Sequence, residues 1–467
     1  MNSEWPLHSL SDFINVKHGF AFKGEFFKAE RTSDLLVTPG NFAIGGGFKS
    51  DKFKFYDGPV PEDYVLSEGD LIVTMTDLSK QADTLGYSAL VPAIAGSRLL
   101  HNQRVGLVEF KNDELDITYL YFLLRSKEYR HHVVSTATGS TVKHTSPTKI
   151  LSFAFRKPPK DIQIDIGKKL IALEEKIENN TQTNQTLEQI AQAIFKSWFV
   201  DFDPVKAKIE ALAAGGSADD AELAAMSVIS AKTLDELNSL KASNPDAFNK
   251  LAQTAALFPK DLDSETGTPA GWNSGVIADI AKLNANSWTK KNRPEQVHYV
   301  DLSNTKNGRI ETVTTYGFDE APSRARRILN SGDTIIGTVR PGNRAFAFIG
   351  ETEKPLTGST GFAVLSPKEE FWTSFVYLAT TNDDAIDEYA RLADGGAYPA
   401  IKPEVVADTP CVLPTKDIAQ KFWQLTGAML KKAHQARLEN EELAKTRDTL
   451  LPKLLSGEIN VTSEVVE

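Results

Sequence analysis

Residues 161–199 read DIQIDIGKKLIALEEKIENNTQTNQTLEQIAQAIFKSWF, and this stretch decides how the chain is organised. It contains no proline and only one glycine, Gly167, so its composition favours one long helix. Apolar residues recur at alternating spacings of four and three, and asparagines occupy the middle of this heptad track. Residues 417–455 repeat the pattern 256 positions later. The sequence therefore predicts two equivalent long helices.

Each predicted helix carries a seam that could bury against a partner. The seam residues include Leu170, Leu173, Ile177, Asn184, Leu187 and Ile194 in the first helix, and Met429, Asn440, Leu443, Leu450 and Leu454 in the second. One interpretation is an amphipathic stripe packed on its own domain. Because the seam continues along both copies, we favour the other interpretation, an antiparallel coiled coil whose asparagines fix the register.

The repeat extends upstream of the helices. TGSTVKHTSP (138–147) aligns with DGGAYPAIKP (394–403), and the Gly-Asp turn of SEGDLIVT (67–74) has its counterpart in NSGDTIIGT (330–338). Trp5 and Trp272 open the two copies. Short apolar runs broken by Gly, Pro, Asn and Asp predict mixed α/β domains with a few helices, one of them over 118–133.

The predicted fold class is α+β, with two repeated mixed α/β domains separated by two long helices that pair as an antiparallel coiled coil. The expected boundaries are 1–157 for the first front domain, 158–199 for the first helix, 200–270 for a connector, 271–415 for the second front domain, 416–457 for the second helix and 458–467 for a tail. The connector is rich in alanine and reads as short helices with Gly and Asn-Pro breaks. It is either a plain connector, which we favour, or an extra contact surface for a partner.

Composition limits the class of protein. With 467 residues, of which 41% are hydrophobic and 24% charged, the chain has the balance of a globular protein of several domains. The single cysteine, Cys411, excludes a disulfide scaffold and fits a reducing cytoplasm. The N-terminus lacks the pattern of an export signal, and no apolar stretch is long enough to cross a membrane. We therefore expect a cytoplasmic protein without membrane contact.

Charge and motifs point away from a self-contained enzyme. The formal net charge is −10, but residues 200–270 contain twelve acidic and six basic side chains and so hold more than half of the excess. The sequence has no phosphate-binding loop, no HExxH and no GxSxG, and one cysteine cannot build a Cys-based metal site. We expect neither a catalytic centre nor a metal site in this chain.

Basic and amide side chains cluster in the front domains. Arg and Lys can contact phosphates and guanine edges, and Asn and Gln can contact adenine edges, so these clusters are candidates for DNA binding. The alternative is that they are ordinary surface loops. The candidates are Lys49, Lys52, Lys80, Gln81, Arg98, Asn102, Gln103, Arg104, Lys143 and His144 in the first domain, and Lys290, Lys291, Arg293, Arg324, Arg327, Arg340, Asn343 and Arg344 in the second.

Nearly the whole chain resembles the specificity subunit of a type I restriction-modification system. The segment LEEKIENNTQTNQTLEQIAQAIFKSWFVDFDPV (173–205) is similar to the central conserved region of that family. RLENEELAKTRDTLLPKLLSGEI (437–459) is similar to its distal conserved region. The front-domain openings, the Gly-Asp turns and the proline before each helix also match the family's pattern.

The resemblance implies a division of labour among subunits. Each front domain would be a target-recognition domain that reads one half of a bipartite DNA sequence. The paired helices would set the gap between the halves and dock two modification subunits, which bind S-adenosylmethionine and methylate adenine. Motor subunits that need ATP and Mg²⁺ would join through these partners. Two other hypotheses remain open: a self-sufficient DNA-modifying or cleaving enzyme with degenerate motifs, and a coiled-coil scaffold without a DNA role.

Overall fold

The computed structural model describes residues 5–77, 79, 81–396 and 398–459. Within this part of the chain no helix is both long and apolar enough to cross a membrane. The chain forms two compact units, one comprising 1–179 and 439–467 and the other comprising 180–438. The sequence predicted separate spacer helices, whereas each of these units contains a front domain together with half of each long helix.

The first unit contains thirteen strands among its described residues. They are β1 (Leu7–Ser9), β2 (Ile14–His18), β3 (Phe27–Lys28), β4 (Asp34–Val37), β5 (Lys54–Tyr56), β6 (Val65–Leu66), β7 (Leu71–Thr74), β8 (Thr76–Asp77), β9 (Ser88–Leu90), β10 (Arg98–His101), β11 (Val105–Phe110), β12 (Lys143–His144) and β13 (Ala154–Arg156). Two main sheets have the strand orders β3-β5-β4-β10-β6 and β2-β11-β7-β9. Strands β4 and β10 are parallel, and the other neighbours in these two sheets are antiparallel.

The helices of this part of the chain are α1 (Ile117–Leu123), α2 (Lys127–Ser135), α3 (Pro147–Leu151) and the long α4 (Lys160–Phe199). The single helix predicted over 118–133 is wrong. It is interrupted because the Ser126 hydroxyl accepts a hydrogen bond from the Tyr129 amide and so begins a new helix. The core of the unit joins the β2 sheet to α1 and α2, and it includes Ile166 and Leu170 of α4.

The second unit begins with the connector, which folds into α5 (Asp203–Ala213), α6 (Ala218–Ser230), α7 (Leu234–Ser243) and α8 (Pro245–Ala256). These short helices were predicted, and they enclose a small core of their own around Met226, Leu237 and Phe248. The Lys208 ammonium is buried between the Glu222 carboxylate, at 2.7 Å, and the Phe258 carbonyl, at 2.8 Å. Phe258 in turn packs on Trp198 and so joins the connector to the main core.

The second front domain repeats the first. Its elements are β14 (Asn273–Val276), α9 (Ile277–Ile280), β15 (Ala281–Leu283), β16 (Gln296–Val300), β17 (Thr305–Lys306), β18 (Arg309–Ile310), β19 (Thr314–Gly317), β20 (Ala325–Leu329), β21 (Thr334–Gly337), β22 (Phe346–Phe348), β23 (Leu356–Ser359), β24 (Phe362–Pro367), α10 (Thr373–Thr381), α11 (Asp383–Leu392), α12 (Pro403–Ala407), β25 (Pro410–Leu413) and α13 (Lys416–Leu455). The main sheets have the orders β19-β16-β23-β20 and β15-β24-β21-β22, with the parallel pair β16 and β23 in the place of β4 and β10.

The sequence repeat fixes the same local signals in both copies. Helices α4 and α13 both span 40 residues and begin and end 256 positions apart. The caps that begin α2 and α11, Ser126 and Asn382, are separated by the same 256 positions. In both Gly-Asp turns the glycine has a positive φ, 84° at Gly69 and 93° at Gly332, a backbone region that favours glycine. The predicted two-copy α+β fold with two long helices is confirmed.

The two long helices pack on each other within each compact unit. All the predicted seam residues are buried or half-buried, whereas neighbouring positions such as Glu175 and Lys176 are exposed. In the first unit the side-chain amide of Asn440 donates a hydrogen bond of 3.1 Å to the carbonyl of Ile177. The corresponding Asn184 in the second unit has a buried side-chain oxygen without a hydrogen-bond partner among the described residues.

A charged cluster ties the first front domain to the helix pair. The Glu174 carboxylate of α4 lies 2.7 Å from the Arg125 guanidinium and 3.0 Å from that of Arg447 in α13. It also accepts a hydrogen bond of 2.8 Å from the Tyr121 hydroxyl. The Arg125 side chain is 5% exposed and that of Glu174 is 18% exposed, so the cluster is largely shielded from water. This arrangement fixes the domain at the point where both helices meet it.

The second unit has a related contact with a different acid. Tyr377, 256 positions after Tyr121, donates a hydrogen bond of 2.7 Å to the carboxylate of Glu188. Arg437 of α13 donates to the carbonyl of Gly308 beside it. The tyrosine is equivalent in the two copies, but its glutamate lies in the first half of α4 in one unit and in the second half in the other. The repeat therefore preserves the anchoring position and varies the polar partners.

Candidate nucleic-acid interface

Three chain segments meet at one point of the first front domain. The Met75 amide donates a hydrogen bond of 2.9 Å to the Arg104 carbonyl, and the Met75 carbonyl accepts one of 3.0 Å from Thr145. Beyond Met75, strand β8 pairs with β12, so that Asp77 lies opposite Lys143. We call this meeting point of residues 75–77, 102–104 and 143–145 the junction of the first domain.

The second front domain has the same junction. The Thr338 amide donates a hydrogen bond of 2.9 Å to the Gly361 carbonyl. The Thr338 carbonyl accepts a hydrogen bond of 2.9 Å from the Ile401 amide. Arg340 then donates from its backbone amide to Pro399 at 2.7 Å. Residues 338–340, 359–361 and 399–401 therefore form the junction of the second domain, with Arg340 in the position that Asp77 occupies in the first.

The loop that leaves the junction differs between the copies. Thr74 and Tyr87 are joined by a backbone hydrogen bond across twelve intervening residues. The equivalent bond between Gly337 and Ala345 spans seven residues. The backbone framework is thus the same, whereas the length and the side chains of this loop are not. Such a difference is typical of loops that carry binding specificity on a constant scaffold.

The long loop of the first domain is anchored at both ends. The Asp77 carboxylate accepts hydrogen bonds of 2.6 Å from the Ser79 amide and the Thr84 hydroxyl. Burial alone would raise the pKa of Asp77, but the hydrogen bonds from Thr84 and Ser79 together outweigh it and lower that pKa. Arg130 donates to two loop carbonyls. The loop therefore presents its outer residues from a fixed base.

Several predicted residues of the first domain come together at this junction. Gln103, Arg104 and His144 are exposed there, and Asn102 and Lys143 are half-buried. Gln81 is exposed in the loop that leaves the junction. The Asn102 side chain accepts a hydrogen bond from the Arg104 amide at 3.0 Å and so shapes the turn between β10 and β11. Lys80 lies outside the described residues. The junction thus groups amide and basic side chains from two distant parts of the sequence, residues 102–104 and 143–144.

Other candidates of the first domain lie elsewhere. Arg98 stands at the start of β10, whereas the junction lies after the end of that strand. Its guanidinium makes two hydrogen bonds of 2.8 Å with Asp34, which raise the pKa of Arg98. Lys49 and Lys52 follow the turn after β4, where the backbone amide of Lys49 bonds to the carbonyl of Asn41. Arg98 is therefore separated from the junction by the length of β10, whereas Lys52 lies beside Gly40 in the turn that follows β4.

A cleft of about 1040 Å³ opens at the junction of the second domain. Its polar lining includes Lys306, Arg324, Arg340, Asn343, Arg344 and Tyr398. Four of these residues were predicted from the sequence. Lys306 and Tyr398 were missed, although Tyr398 lies in the segment 394–403 that the repeat aligns with Lys143 and His144. That alignment was a usable signal for the tyrosine, while nothing in the sequence pointed to Lys306.

Each of the three arginines in the cleft has a different support. The Arg324 guanidinium lies 2.9 Å from the Asp301 carboxylate and donates to the Tyr299 hydroxyl at 3.1 Å. Arg344 pairs with Asp383 at 2.6 Å. The guanidinium of Arg340 lies 4.9 Å from the centre of the Tyr398 ring, and that tyrosine is 72% exposed. These supports hold three cations around one concave surface.

The backbone of the loop between β21 and β22 is strained. Arg340 and Arg344 have φ values of 48° and 59°, in the left-handed region that non-glycine residues avoid at a cost of about 1–2 kcal/mol each. Pro341 follows Arg340 and begins a short 3-10 turn that ends at Asn343. Strain of this kind persists where surrounding contacts hold the loop in place, and it is frequent at binding sites.

The remaining candidates of the second domain lie away from the cleft. Lys290, Lys291 and Arg293 are exposed in the loop before β16, and Arg293 pairs with Asp319 at 2.6 Å. Arg327 is half-buried, and its guanidinium donates a hydrogen bond of 3.3 Å to the Ser287 hydroxyl. Burial lowers the pKa of Arg327. The cluster at 323–327 is therefore divided, with Arg324 in the cleft and Arg327 turned into the sheet.

Within the part of the chain that the structure describes, no group of three or more His, Cys, Asp or Glu side chains could hold a metal ion. The candidate site is accordingly a surface of basic, amide and aromatic groups on two equivalent frameworks. Such groups can contact phosphates and the hydrogen-bonding edges of bases.

Known proteins are similar to this chain in sequence and in fold. Residues 2–189 match the family model of the type I restriction modification DNA specificity domain. The chain is 31% identical over 357 residues to the type I restriction enzyme HindI specificity subunit of Haemophilus influenzae, covering 73% of this chain and 77% of that protein. It is 22% identical to the MjaIX specificity subunit of Methanocaldococcus jannaschii, over 79% of this chain and 75% of the other.

A solved structure also resembles the fold. The S subunit of a type I restriction-modification system from M. genitalium matches with a TM-score of 0.51 and 16% identity, over 97% of this chain and 96% of that one. The likeness at this identity concerns the fold. The relative from Haemophilus influenzae defines the class: the chain belongs to the family of type I restriction enzyme specificity subunits.

Proposed function

We propose that this chain selects the DNA target of a type I restriction-modification enzyme, with each front domain reading one half of a bipartite sequence. The observation that carries the proposal is the junction that occurs twice on one framework with different loops and side chains. Two equivalent frameworks can bind DNA in equivalent ways, and different side chains make the two half-sites different. The asymmetry between Asp77 and Arg340 supports an asymmetric target.

The two long helices are proposed to set the gap between the half-sites. A helix of 40 residues is about 60 Å long at 1.5 Å per residue. At about 3.4 Å per base pair this length limits the separation of the half-sites to roughly 17 base pairs. The exposed faces of the same helices are proposed to dock two modification subunits, which would bind S-adenosylmethionine and methylate adenine. Motor subunits that use ATP and Mg²⁺ would join through them, and the proposed compartment is the cytoplasm.

The net charge supports a contribution of the modification subunits to DNA affinity. Phosphate neutralisation supplies much of the affinity of DNA-binding proteins, and this chain is acidic overall at −10. Within the cleft, Arg324 and Arg344 are already paired with carboxylates. We therefore expect weak DNA binding by the chain alone and tight, sequence-specific binding once the modification subunits are present.

The test is to map methylated adenines in DNA from cells that contain the chain and its modification subunit. A bipartite, asymmetric motif is expected, and it should disappear when this chain is deleted. The purified chain alone should neither bind S-adenosylmethionine nor modify DNA. Turnover by the chain alone would favour a self-sufficient enzyme, and an assembled complex without any sequence preference would favour a scaffold.

The connector gives a separate prediction. Deleting residues 211–255 and closing the gap with a short Gly-Ser link should leave assembly and methylation intact, because the connector encloses its own core. The deletion removes Glu222, the partner of buried Lys208, so it should be combined with Lys208→Met to avoid an unpaired buried charge. Loss of modification-subunit binding in a folded variant would instead assign the connector a docking role.

A further inference from the structure

A two-residue turn joins the cleft of the second domain to the long helices. Asn307 and Gly308 connect β17 to β18, and their φ values of 46° and 77° match the tight hairpin turn that an Asn-Gly pair favours. We propose that Arg437 of α13 is a positioning residue for DNA recognition, because it holds this turn against the loop that leaves the second junction. This role rests on the proposed function and deepens it by linking a helix residue to one half-site.

On one side the turn contacts the cleft. The Asn307 amide donates a hydrogen bond of 2.8 Å to the Arg344 carbonyl, and the Gly308 amide donates one of 2.9 Å to the Phe346 carbonyl. The Asn307 side-chain oxygen also accepts a hydrogen bond of 3.1 Å from the Arg344 guanidinium. Arg344 and Lys306, the residue before the turn, both line the cleft. The position of the turn therefore affects two cationic side chains of the cleft.

On the other side the turn faces three helices. Arg437 of α13 donates a hydrogen bond to the Gly308 carbonyl. A Cβ atom at Gly308 would lie 3.1 Å from the Tyr377 hydroxyl of α10 and 3.4 Å from the Glu188 carboxylate of α4. A larger residue would therefore crowd these groups, which are hydrogen-bonded to each other. The Arg437 contact is a strong one, because a charged donor strengthens a hydrogen bond to a carbonyl.

The first domain has the same link. The Gly45 carbonyl accepts a hydrogen bond of 2.7 Å from the Nε atom of Arg125. Gly45 precedes the glycine of the second-domain turn by 263 positions, the same offset that separates the two Gly-Asp turns. Close by, the Gly47 amide donates 2.9 Å to the Ser88 carbonyl, and Ser88 follows the closing bond of its junction loop as Phe346 does in the second domain.

The two arginines come from different positions of the repeat. With the offset of 256 that applies to the helices, Arg125 corresponds to Thr381 and Arg437 corresponds to Thr181. An arginine inherited from the duplicated sequence alone would occupy equivalent positions in the two copies. The equivalent carbonyl is instead bound by an arginine from a different element in each domain. This recurrence indicates that the contact itself is needed for the common framework.

The effect of losing this contact should be local. The junction fixes one end of the loop through the backbone bonds of Thr338 and Arg340, and the turn fixes the returning end. The attachment of the domain to the helices also includes a large hydrophobic core, to which Phe195, Trp198 and Phe422 contribute. Removing the Arg437 hydrogen bond therefore frees the turn and the end of the loop, while the domain remains attached.

The experiment compares the assembled enzyme with its Arg437→Met and Arg437→Lys variants on a randomised DNA library, with methylated sequences as the readout. Methionine keeps much of the side-chain volume but donates no hydrogen bond, whereas lysine keeps a charged donor for the carbonyl. Arg437→Met should lose about 10- to 100-fold in base preference in one half-site, as for the loss of a hydrogen bond from a charged group. Arg437→Lys should restore much of this preference, and the other half-site and the gap should stay unchanged.

Three further variants complete the test. Arg344→Ala identifies the half-site, because Arg344 lines the cleft, and it should alter the same half-site as Arg437→Met. Asn307→Gly removes the side-chain bond to Arg344, tolerates the positive φ and leaves the helices untouched, so it should weaken that half-site as well. Arg391→Ala is the matched control, because this exposed arginine of the same domain pairs with Glu388 on its own helix. It should leave the motif unchanged.

Denaturant unfolding shows whether each variant is folded. The proposed role is wrong if folded Arg437→Met keeps the unaltered motif, if both half-sites weaken equally, or if Arg437→Lys is as impaired as Arg437→Met. If Arg437→Met does not fold, an unaltered motif in Asn307→Gly would reject the role of the turn. Absence of any bipartite motif in the unaltered enzyme would instead reject the proposed function itself.

Discussion

Inserting seven residues after Asn179 in α4 together with seven after Leu438 in α13 should lengthen the gap of the methylated target by about three base pairs. One heptad adds about 10.5 Å of helix and returns the seam to the same face. The two insertion points lie at the boundaries between the compact units, so neither front domain is altered. Methylation of a target series with different gaps measures the shift.

Two controls test whether the length of the paired helices sets the gap between the half-sites. The same heptad in α4 alone leaves the paired helices unequal in length and should abolish methylation. Seven Gly-Ser residues inserted between Gly215 and Gly216, in the turn after α5, should leave the gap preference unchanged because surface turns tolerate insertions. A double insertion that methylates the original gap would show that the helices do not measure it.

Glu174→Gln should destabilise the first unit by about 3 kcal/mol, the order observed when one partner is removed from a buried charge cluster. The carboxylate is shared by Arg125 and Arg447, whose side chains are 5% and 21% exposed. Glutamine keeps the shape but leaves the shielded Arg125 guanidinium without its carboxylate partner and Arg447 paired with Asp448 alone. Denaturant unfolding of the assembled or free chain measures the change.

The matched control is Lys176→Ala, which removes the 3.6 Å ion pair with Glu439 on the same two helices. Both side chains of this pair are about half exposed, so the expected loss is about 0–1 kcal/mol. If the two variants lose the same small amount, the Glu174 cluster does not anchor the domain. If only Glu174→Gln loses much of the free energy of unfolding, the difference between the two variants is due to the burial of the Glu174 cluster.

The sequence repeat is hard to follow in the front domains because the offset between equivalent positions of the two copies changes along the chain. The offset is 263 positions at the Gly-Asp turns of Gly69 and Gly332, and it falls to 256 by Thr145 and Ile401. The offset therefore falls by seven positions in all. The loop that leaves the junction accounts for five of the seven, because it has twelve residues in one copy and seven in the other. Loops vary in length at small energetic cost, whereas strands and helices in a packed core do not.

The sequence predicts one continuous helix over 118–133, a segment that contains neither glycine nor proline. The break at Ser126 depends on one hydroxyl that accepts a hydrogen bond from the Tyr129 amide. Serine occurs both within helices and at their starts, so the residue type alone does not decide between the two. The same break occurs at Asn382 in the second copy, where asparagine is a clearer signal for a helix start.

The sequence by itself indicated the two copies, the two long helices to within two residues at each end, and seam positions that are buried or half-buried. These features depend on periodicity and on caps, which are local along the chain. Only the tertiary structure decided which basic residues share a surface. Arg98 and Asn102 are four positions apart and lie at opposite ends of one strand, while Arg340 and Tyr398 are far apart in sequence and stack. Strand order and loop length control such meetings, because a binding surface is assembled from segments that only the packed sheets bring together.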